Sequence, residues 1–344
     1  MSDIKFYRYP KIRKAITALD PFADVVDWLR YLTSDDYVTN SLVEIHKLTT
    51  NEAKARCKQI MPHVKDALAF IDQALATPNE ASFVSTYYAM LNLAKVSILV
   101  GPKHAELPSH RWHGATYDVN AKDSQSVLTE FVLLKKGGAL ALFYETMMGK
   151  PRPSDRKVKM ADLYGYLSDV GNEYLVATGA NTKFAMLSFE AKPVHGKRQP
   201  ITITAYPFGT PTKISPRAIA TATALKTLDA GKNVFAPKKA IKPGTTWQAV
   251  FDAHFDRRMI FHSEGKQTQM PIGCGTFTFT EELPIILVFF HLLSVARYKP
   301  EFLYEIMESR MWPVISTARQ HCLYKFLLLF WCHFHQTTFE IEQR

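Results

Sequence analysis

The stretch Ser85-Thr-Tyr-Tyr-Ala-Met-Leu-Asn-Leu-Ala-Lys95 decides the fold of this chain. Apolar residues surround it and continue to Leu99, which is the pattern of a helix buried in a core. Polar side chains recur within it at steps of three and four residues, so they share one helix face: Ser85, Tyr88, Asn92 and Lys95. An amide and an ammonium group are costly to bury unless both find partners. The polar face therefore predicts either a structural network or the wall of a pocket.

A segment dense in hydrogen-bonding groups follows this helix, His110-Arg-Trp-His-Gly-Ala-Thr-Tyr-Asp118. In a functional interpretation, Arg111 holds a phosphate and Trp112 stacks on a base, while His113 serves as an acid or base. In a structural interpretation the segment is a loop in which His113 bonds Asn92. We assign five residues to one polar network or pocket that this loop completes: Tyr88, Asn92, Lys95, Asp118 and Arg297.

The composition is that of a globular protein with a basic surface. Hydrophobic residues make up 47% and charged residues 22% of the 344 positions. The net charge of +10 favours a polyanionic partner such as RNA, DNA or an acidic protein, although a basic surface without a partner is the simpler alternative. Four cysteines are too few for a disulfide framework and fit a reducing compartment. With a charged N-terminus that lacks a signal peptide, these features predict a cytoplasmic protein.

Two apolar runs in the sequence are candidates for membrane-spanning helices. Residues 283–296 (LPIILVFFHLLSVA) and 326–334 (FLLLFWCHF) are both shorter than the roughly 20 residues that a spanning helix needs. We therefore interpret both as buried core helices and expect no association with a membrane.

Helical patterns enclose a region with the alternating pattern of β-strands. Helices are predicted at 22–32 after Asp20, from Thr49 onward with Pro62 as a kink or break, and at 80–100 before Gly101. Residues 183–192 and 200–208 predict a hairpin, 216–228 a helix and 229–246 a surface loop, and from 281 the chain is helical again. The sequence thus predicts a mainly α fold with a small antiparallel β insertion. Its parts are an N-terminal helical part (1–180), a β-rich insertion with a basic loop (181–280) and apolar C-terminal helices packing on the first part (281–344).

Basic residues concentrate in the β-rich part. Lys197 and Arg198 lie at the tip of the predicted hairpin, and Lys238 and Lys239 lie in the loop that follows. Such groups are suited to grip the phosphate backbone of a nucleic acid. Solvated surface charge is the alternative interpretation.

The Tyr87-Tyr88-Ala-Met stretch resembles a helix of HEPN domains, and this resemblance implies an arginine and a histidine separated by four to six residues for metal-independent RNA cleavage. In such a pair the imidazole transfers protons and the guanidinium holds the phosphate. Two stretches have this spacing, Arg56 with His63 and Arg257 with His262. That number equals the chance expectation for a chain so rich in these residues. Arg257 and His262 lie in a predicted strand, so Arg56 and His63 are the better candidates.

The sequence resembles the YaaC-like family of bacterial proteins. The resemblance rests on Tyr87-Tyr88-Ala-Met-Leu-Asn92-Leu-Ala-Lys95, on His113-Gly114, on Lys136-Gly137-Gly138 and on Leu292-Leu-Ser-Val-Ala-Arg297-Tyr298-Lys-Pro300-Glu301, in that order. That family brings no settled activity with it. The helix that contains Tyr87–Lys95 is also similar to the Tyr-Tyr-Ala-Met helix of HEPN domains, which are small helical bundles found in toxin–antitoxin and antiviral systems. This similarity implies a HEPN-like bundle that often dimerises and is either a metal-independent ribonuclease or a binding module.

Neither a metal nor a cofactor is expected. His321, Cys322, Cys332, His333 and His335 cluster in the sequence, but Cys332 lies ten positions after Cys322, which does not fit a zinc site. The phosphate-binding, dinucleotide, serine-hydrolase and HExxH zinc motifs do not occur in the sequence.

These observations lead to two functional hypotheses. The first is an RNA-directed HEPN-like module, a metal-independent endoribonuclease effector in bacterial antiviral defence or stress response. Its acid–base residue is His113 or His63, and its phosphate ligand is Arg111 or Arg56. The second is a non-catalytic scaffold subunit of a multi-protein defence complex that binds a partner protein from the same operon. A homodimer fits both hypotheses.

Overall fold

The computed structural model describes residues 8–9, 11–17, 20–77, 80–110, 112–117, 126–152, 154–193, 201–208, 216–222, 225–231, 233–237, 268–271 and 279–343. These residues confirm a mainly α fold with small sheets. The helices are α1 (Pro21–Arg30), α2 (Asp35–Glu44), α3 (Thr50–Ala76), α4 (Ser82–Val100), α5 (Ala139–Met148), α6 (Met160–Tyr166), α7 (Gly171–Thr178), α8 (Pro216–Ala222), α9 (Glu282–Tyr298), α10 (Pro300–Glu308) and α11 (Trp312–His335).

The strands form three separate sheets within the described residues. They are β1 (Lys11–Thr17), β2 (Ala115–Tyr117), β3 (Phe131–Leu134), β4 (Arg156–Lys159), β5 (Phe184–Pro193), β6 (Ile201–Phe208), β7 (Leu225–Asp229), β8 (Val234–Pro237), β9 (Thr268–Pro271) and β10 (Thr337–Gln343). The sheet β2-β3-β4 and the sheet β7-β8-β6-β5-β9 are antiparallel, whereas β1 and β10 pair in parallel.

Helix α4 is the centre of the helical core. It packs against α3, α5, α9 and α11, and the only residues of the helix not fully buried are Val84, Tyr88 and Lys95. A helix that is apolar on nearly every side requires such covering on all sides. The prediction that this stretch is a buried helix is therefore confirmed, and of its four polar residues Ser85 and Asn92 are buried while Tyr88 and Lys95 are partly buried.

Local capping signals set the starts of the flanking helices. The Asp20 carboxylate accepts hydrogen bonds from the backbone N–H groups of Phe22 and Ala23 at the start of α1. At the start of α3, Thr49 and Glu52 form a reciprocal capping box. Helix α3 runs through Pro62 without ending, so the predicted break is absent. Pro62 is exposed, and the exposed face tolerates the loss of one backbone hydrogen bond.

The two apolar runs lie in buried helices, as predicted: α9 is buried from Glu282 to Val295 and α11 from Cys322 to Cys332 except Tyr324. Within the described residues, α4 is long and apolar enough to cross a membrane, and α9 with α10 passes this test only if the two helices, bent by 119°, are counted together. Of the tested stretch of α4, 83% is buried inside the protein, which is the environment of a core helix.

The chain divides into two compact units. One comprises residues 9–178 and 282–344, and the other comprises residues 1–8 and 179–281. In the second unit, β5 and β6 form the predicted hairpin. The predicted helix 216–228 is too long, because α8 ends at Ala222 and Leu225 begins strand β7, which pairs with β8 inside the predicted surface loop. Leu225 and Phe235 are both buried, so burial of apolar side chains favours the strand pair over a longer helix.

A parallel pair of strands, β1 with β10, was not expected from the sequence. Lys11 lies beside Thr337 and the register continues to Thr17 beside Gln343. Phe339 of β10 packs on Trp28 and Trp331, which joins the strand pair to α1 and α11.

Candidate functional site

The centre of the candidate site is a hydrogen bond between His63 on α3 and Asn92 on α4. The distance between Nδ1 of His63 and Oδ1 of Asn92 is 2.9 Å. The amide nitrogen of Asn92 donates to the backbone carbonyl of Tyr88, also at 2.9 Å, which fixes the orientation of the amide. Because Oδ1 only accepts, Nδ1 of His63 must carry the proton. In the neutral ring, Nε2 therefore has the free electron pair of a base.

Lys95, one turn after Asn92, supplies positive charge to this site. Burial lowers the pKa of His63 below its usual value, the hydrogen bond that His63 donates to Asn92 opposes this shift, and the charge of Lys95 adds to it. His63 is therefore held mainly in its neutral form near pH 7. A neutral imidazole beside a cation is suited to remove a proton and to stabilise the negative charge that develops.

A cavity of about 430 Å³ lies beside His63 and Lys95. His63 and Lys95 line it together with Gln59, and its apolar wall consists of Leu99, Leu107 and Pro108. The volume is within the range of small-ligand sites, and a few polar groups set against an apolar wall are typical of such sites.

His113 lies in an aromatic environment next to the same polar face. Its ring centroid is 5.4 Å from that of Tyr87, 5.7 Å from that of Tyr88 and 6.2 Å from that of Phe290. Burial lowers the pKa of His113, and the charges of Lys95 and Arg297 lower it further. His63 and His113 thus share the influence of Lys95. The partner of Asn92 is His63, however, rather than His113 as the structural interpretation of the loop expected.

A close contact of two glycine segments positions His113. Gly114 and Gly138 have φ angles of +83° and +93°, and a Cβ atom on Gly138 would lie 2.4 Å from Cα of Gly114. The backbone N–H groups of Ala139 and Leu140 donate to the carbonyls of Trp112 and His113 at 2.8 and 2.9 Å. The two glycine motifs of the sequence therefore form one structural clasp, in which the His113 segment caps the start of α5.

Arg56 does not line the cavity beside His63, although its spacing from His63 suggested that it holds a phosphate there. Its Nη1 lies 3.2 Å from the carbonyl oxygen of Leu99 and 3.4 Å from those of Val100 and Gly101, at the C-terminal end of α4. A guanidinium group at this end satisfies carbonyls that have no partner within the helix and interacts favourably with the helix dipole. In the described structure, Lys95 is the cation that lines the cavity beside His63.

Two further residues of the predicted site, Trp112 and Arg297, lie at exposed positions. Trp112 is 51% exposed, with its ring edge against Gly137, and Arg297 is exposed at the end of α9 over the ring of Tyr298. The other predicted residues lie outside the described part of the chain: Arg111, Asp118, Lys197, Arg198, Lys238, Lys239 and the pair Arg257 and His262.

A buried polar cluster beside the three-stranded sheet was not predicted from the sequence. Glu130 accepts a hydrogen bond from the Tyr117 hydroxyl at 2.6 Å and pairs through its other oxygen with Nε2 of His291 on α9. His291 is fully buried and Glu130 is 4% exposed. A histidine in the middle of the apolar run of α9 was the one available signal for this cluster.

The cysteines and histidines near the C-terminus lie on α11, where Cys322 and Cys332 are ten positions apart. Cys322 and Cys332 are buried thiols that form no disulfide, and Nε2 of His335 lies 3.3 Å from the Tyr37 hydroxyl. Among the described residues, no cluster of His, Cys, Asp or Glu is arranged to hold a metal ion.

Comparison with known proteins identifies the family. The YaaC-like protein family matches residues 30–334, which include α3, α4, the His113 segment and most of α11. No curated protein and no solved structure matches the chain. The similarity of α4 to HEPN helices therefore stays a prediction. Because the family match spans most of the sequence, the chain belongs to the YaaC-like protein family.

Proposed function

We propose that this protein is an RNA-directed, HEPN-like module that cleaves RNA in the α3–α4 cavity without a metal ion. The observation that carries the proposal is the bond from His63 to Asn92, because it leaves a basic nitrogen on His63 beside Lys95 in one cavity. The net charge of +10 supports a polyanionic substrate. A cytoplasmic role in bacterial antiviral defence or stress response, and a homodimeric state, are part of the proposal and rest on the resemblance to HEPN proteins.

The chemistry assigns a separate task to each residue. Nε2 of His63 removes the proton of a ribose 2′-hydroxyl, and the 2′-oxygen then bonds to phosphorus as the bond from phosphorus to the 5′-oxygen breaks. The Lys95 ammonium stabilises the negative charge on the phosphoryl oxygens during this step. His113, in its protonated fraction, gives a proton to the departing 5′-oxygen. The products are a 2′,3′-cyclic phosphate and a 5′-hydroxyl.

The exposed ring of Trp112 is suited to extend this site. It directly precedes His113 and is half exposed, so a nucleobase can stack on its free face. Stacking on an indole tolerates any base, which is consistent with single-stranded RNA as the substrate class.

A cleavage assay with single-stranded RNA or tRNA in EDTA tests the proposal. We expect the purified full-length protein to degrade the RNA and His63→Ala to slow the reaction by about 100-fold or more. His321→Ala removes an exposed histidine of α11 outside the cavity and is the matched control, with unchanged activity. Intact RNA at high protein concentration would refute the catalytic proposal.

The leaving group separates the role of His113 from that of His63. Uridine 3′-(4-nitrophenyl phosphate) releases a nitrophenolate, which needs no proton. If His113 is the acid, His113→Ala slows cleavage of RNA but not of this ester, whereas His63→Ala slows both reactions. Equal losses on both substrates would show that His113 acts only through the packing of Tyr87 and Tyr88.

The alternative function is a scaffold without catalysis, and exposed aromatic rings favour it. Tyr298 at the end of α9 is 57% exposed and Tyr304 on α10 is 62% exposed. Exposed aromatic residues are enriched where proteins bind each other. Under this alternative RNA stays intact, and a stoichiometric partner protein is recovered with the wild-type chain but is lost with Tyr298→Ser and Tyr304→Ser together.

A further inference from the structure

A second and larger cavity lies at the opposite end of α4 from the His63 site. Its volume is about 630 Å³, and it is formed where the start of α1, the end of α3 and the start of α4 meet α11. Lys95 of the first site and Thr86 of this one are nine residues apart on α4, which corresponds to about 13 Å along the helix. The lining residues of the two cavities do not overlap.

The walls of this cavity are apolar and aromatic. Phe22 and Tyr324 approach each other with ring centroids 6.3 Å apart, and Leu323 continues the wall. Leu75 also lines the cavity, although 56% of its surface is exposed. A large apolar side chain left open to solvent beside a cavity is suited to contact the apolar body of a ligand.

One partly buried cation determines the charge that the cavity prefers. The Arg319 guanidinium lines it, and its Nη1 lies 3.4 Å from the hydroxyl of Ser82, which is 1% exposed. Thr86, also 1% exposed, lines the cavity one turn further along α4. The carboxylate in the lining, Asp20, is exposed and already accepts two backbone N–H groups at the start of α1. The positive group is thus the more buried of the two and the better placed to select a ligand by charge.

We propose that this cavity binds a small amphipathic anion, a molecule with an aromatic or aliphatic body and one carboxylate, sulfonate or phosphate group. The anionic group lies at Arg319, where a guanidinium can bind two oxygens at once, and the body lies between Phe22, Tyr324 and Leu75. The volume fits the range of small-molecule sites. The proposal does not depend on RNA cleavage, because it uses none of the residues of the first cavity.

Fluorescence titration of the full-length protein with 8-anilinonaphthalene-1-sulfonate tests the proposal. We expect saturable binding of one probe molecule per chain, displacement by decanoate and much weaker displacement by the neutral analogue decanol. Arg319→Met removes the charge at similar volume and should weaken decanoate binding by about tenfold. Arg310→Met removes an exposed arginine that does not line the cavity, and should leave binding unchanged.

Two further variants keep the test decisive if Arg319→Met does not fold, which near-UV circular dichroism would reveal. Arg319→Lys keeps the charge and should keep most of the binding. Leu75→Glu places a negative charge at an exposed lining position and should weaken decanoate binding, whereas Leu75→Gln should weaken it much less. Absence of saturable binding, equal competition by decanol, or equal effects of Arg319→Met and Arg310→Met would each overturn the proposal.

Discussion

His63 donates a hydrogen bond from Nδ1 to Oδ1 of Asn92 across the contact between α3 and α4, at 2.9 Å. Since the amide of Asn92 is itself fixed by the carbonyl of Tyr88, this single bond determines which nitrogen of His63 is basic. The orientation of the base is therefore set by the central helix of the fold.

Asn92→Asp tests this relationship through the pH dependence of RNA cleavage. A carboxylate in place of the amide stabilises the protonated ring and raises the pKa of His63, which in the wild type is lowered. The rate falls when His63 becomes protonated, so the acid limb of the pH–rate profile should move to higher pH. Asn51→Asp adds the same charge on an exposed position of α3 and should leave the profile in place. An unchanged profile in Asn92→Asp would exclude His63 as the base.

Replacing Arg56 should affect stability and leave the chemistry intact. Arg56→Met removes the donors to three carbonyls at the end of α4 and should lower the free energy of unfolding by about 1–2 kcal/mol. Urea denaturation measures this loss, with the exposed Lys54→Met as the control. Cleavage per folded molecule should stay at the wild-type value. A large loss of activity in a stably folded Arg56→Met protein would restore Arg56 as the phosphate ligand.

The glycine clasp makes Gly138 sensitive to even the smallest side chain. In Gly138→Ala the new Cβ would lie 2.4 Å from Cα and 2.5 Å from N of Gly114, in addition to the strain of a φ angle of +93°. We expect a loss of more than about 2 kcal/mol in the free energy of unfolding. Gly179→Ala separates the two causes, because Gly179 has a φ angle of +67° but no atom within 4 Å of the new Cβ. Its loss should be only about 1–2 kcal/mol, and equal losses would mean that the contact with Gly114 relaxes freely.

Buried histidines should make the helical unit sensitive to mild acid. Burial lowers the pKa of His335 to about 4, and the charges of Arg13 and His46 act in the same direction. In the unfolded chain histidine titrates near 6.5, so between about 6.5 and 4 the unfolded state binds more protons. The contribution of His335 to the free energy of unfolding is therefore fully present above pH 6.5. It decreases by about 3 kcal/mol as the pH falls towards 4.

His335→Gln should flatten that dependence, as measured by urea denaturation at several pH values. The exposed His321→Gln is the control and should retain the wild-type slope. The pKa values of His46, His63 and His113 are also lowered by burial, so the variant should keep part of the acid sensitivity. Identical slopes for His335→Gln and the wild type would contradict this account.

The pair Glu130 and His291 should show strong energetic coupling. Removing one partner leaves a buried polar group without the other, so His291→Leu and Glu130→Gln should each lower the free energy of unfolding by about 3–5 kcal/mol. The double variant should lose much less than the sum of the two single losses. A double-mutant cycle by urea denaturation measures the difference, and additive losses would show that the two groups do not stabilise each other.

The sequence predicts those parts of the fold that local signals determine. The buried pattern of α4, the cap at Asp20 and the capping box at Thr49 are each contained in a few neighbouring residues. The pair of β1 with β10 could not be predicted in this way, because Lys11 and Thr337 lie at opposite ends of the sequence. The pairing of β7 with β8 likewise depends on burial of Leu225 and Phe235 in a sheet, and local helix preference does not report that burial.

For the candidate site, the spacing of polar residues along the sequence predicts the polar face of α4 but not the residue on α3 that this face contacts. The spacing within one helix shows that Asn92 and Lys95 share a face, while the register between α3 and α4 decides that His63 meets Asn92. The same register places Arg56 at the carbonyl end of α4, which no spacing of arginine and histidine reveals. Glu130 and His291 are 161 positions apart, and each alone resembles an isolated charge or a core histidine.

The division of the helical unit into residues 9–178 and 282–344 has a consequence for synthesis on the ribosome. Helix α4 is translated well before α9 and α11, which cover it. The intervening residues 179–281 take about 5–20 seconds to translate at typical elongation rates. During that interval α3 and α5 are available to pack on α4, whereas the faces of α4 that α9 and α11 cover stay exposed on the nascent chain. We therefore expect chaperones that hold the first segment until the second leaves the ribosome to raise the yield of folded protein.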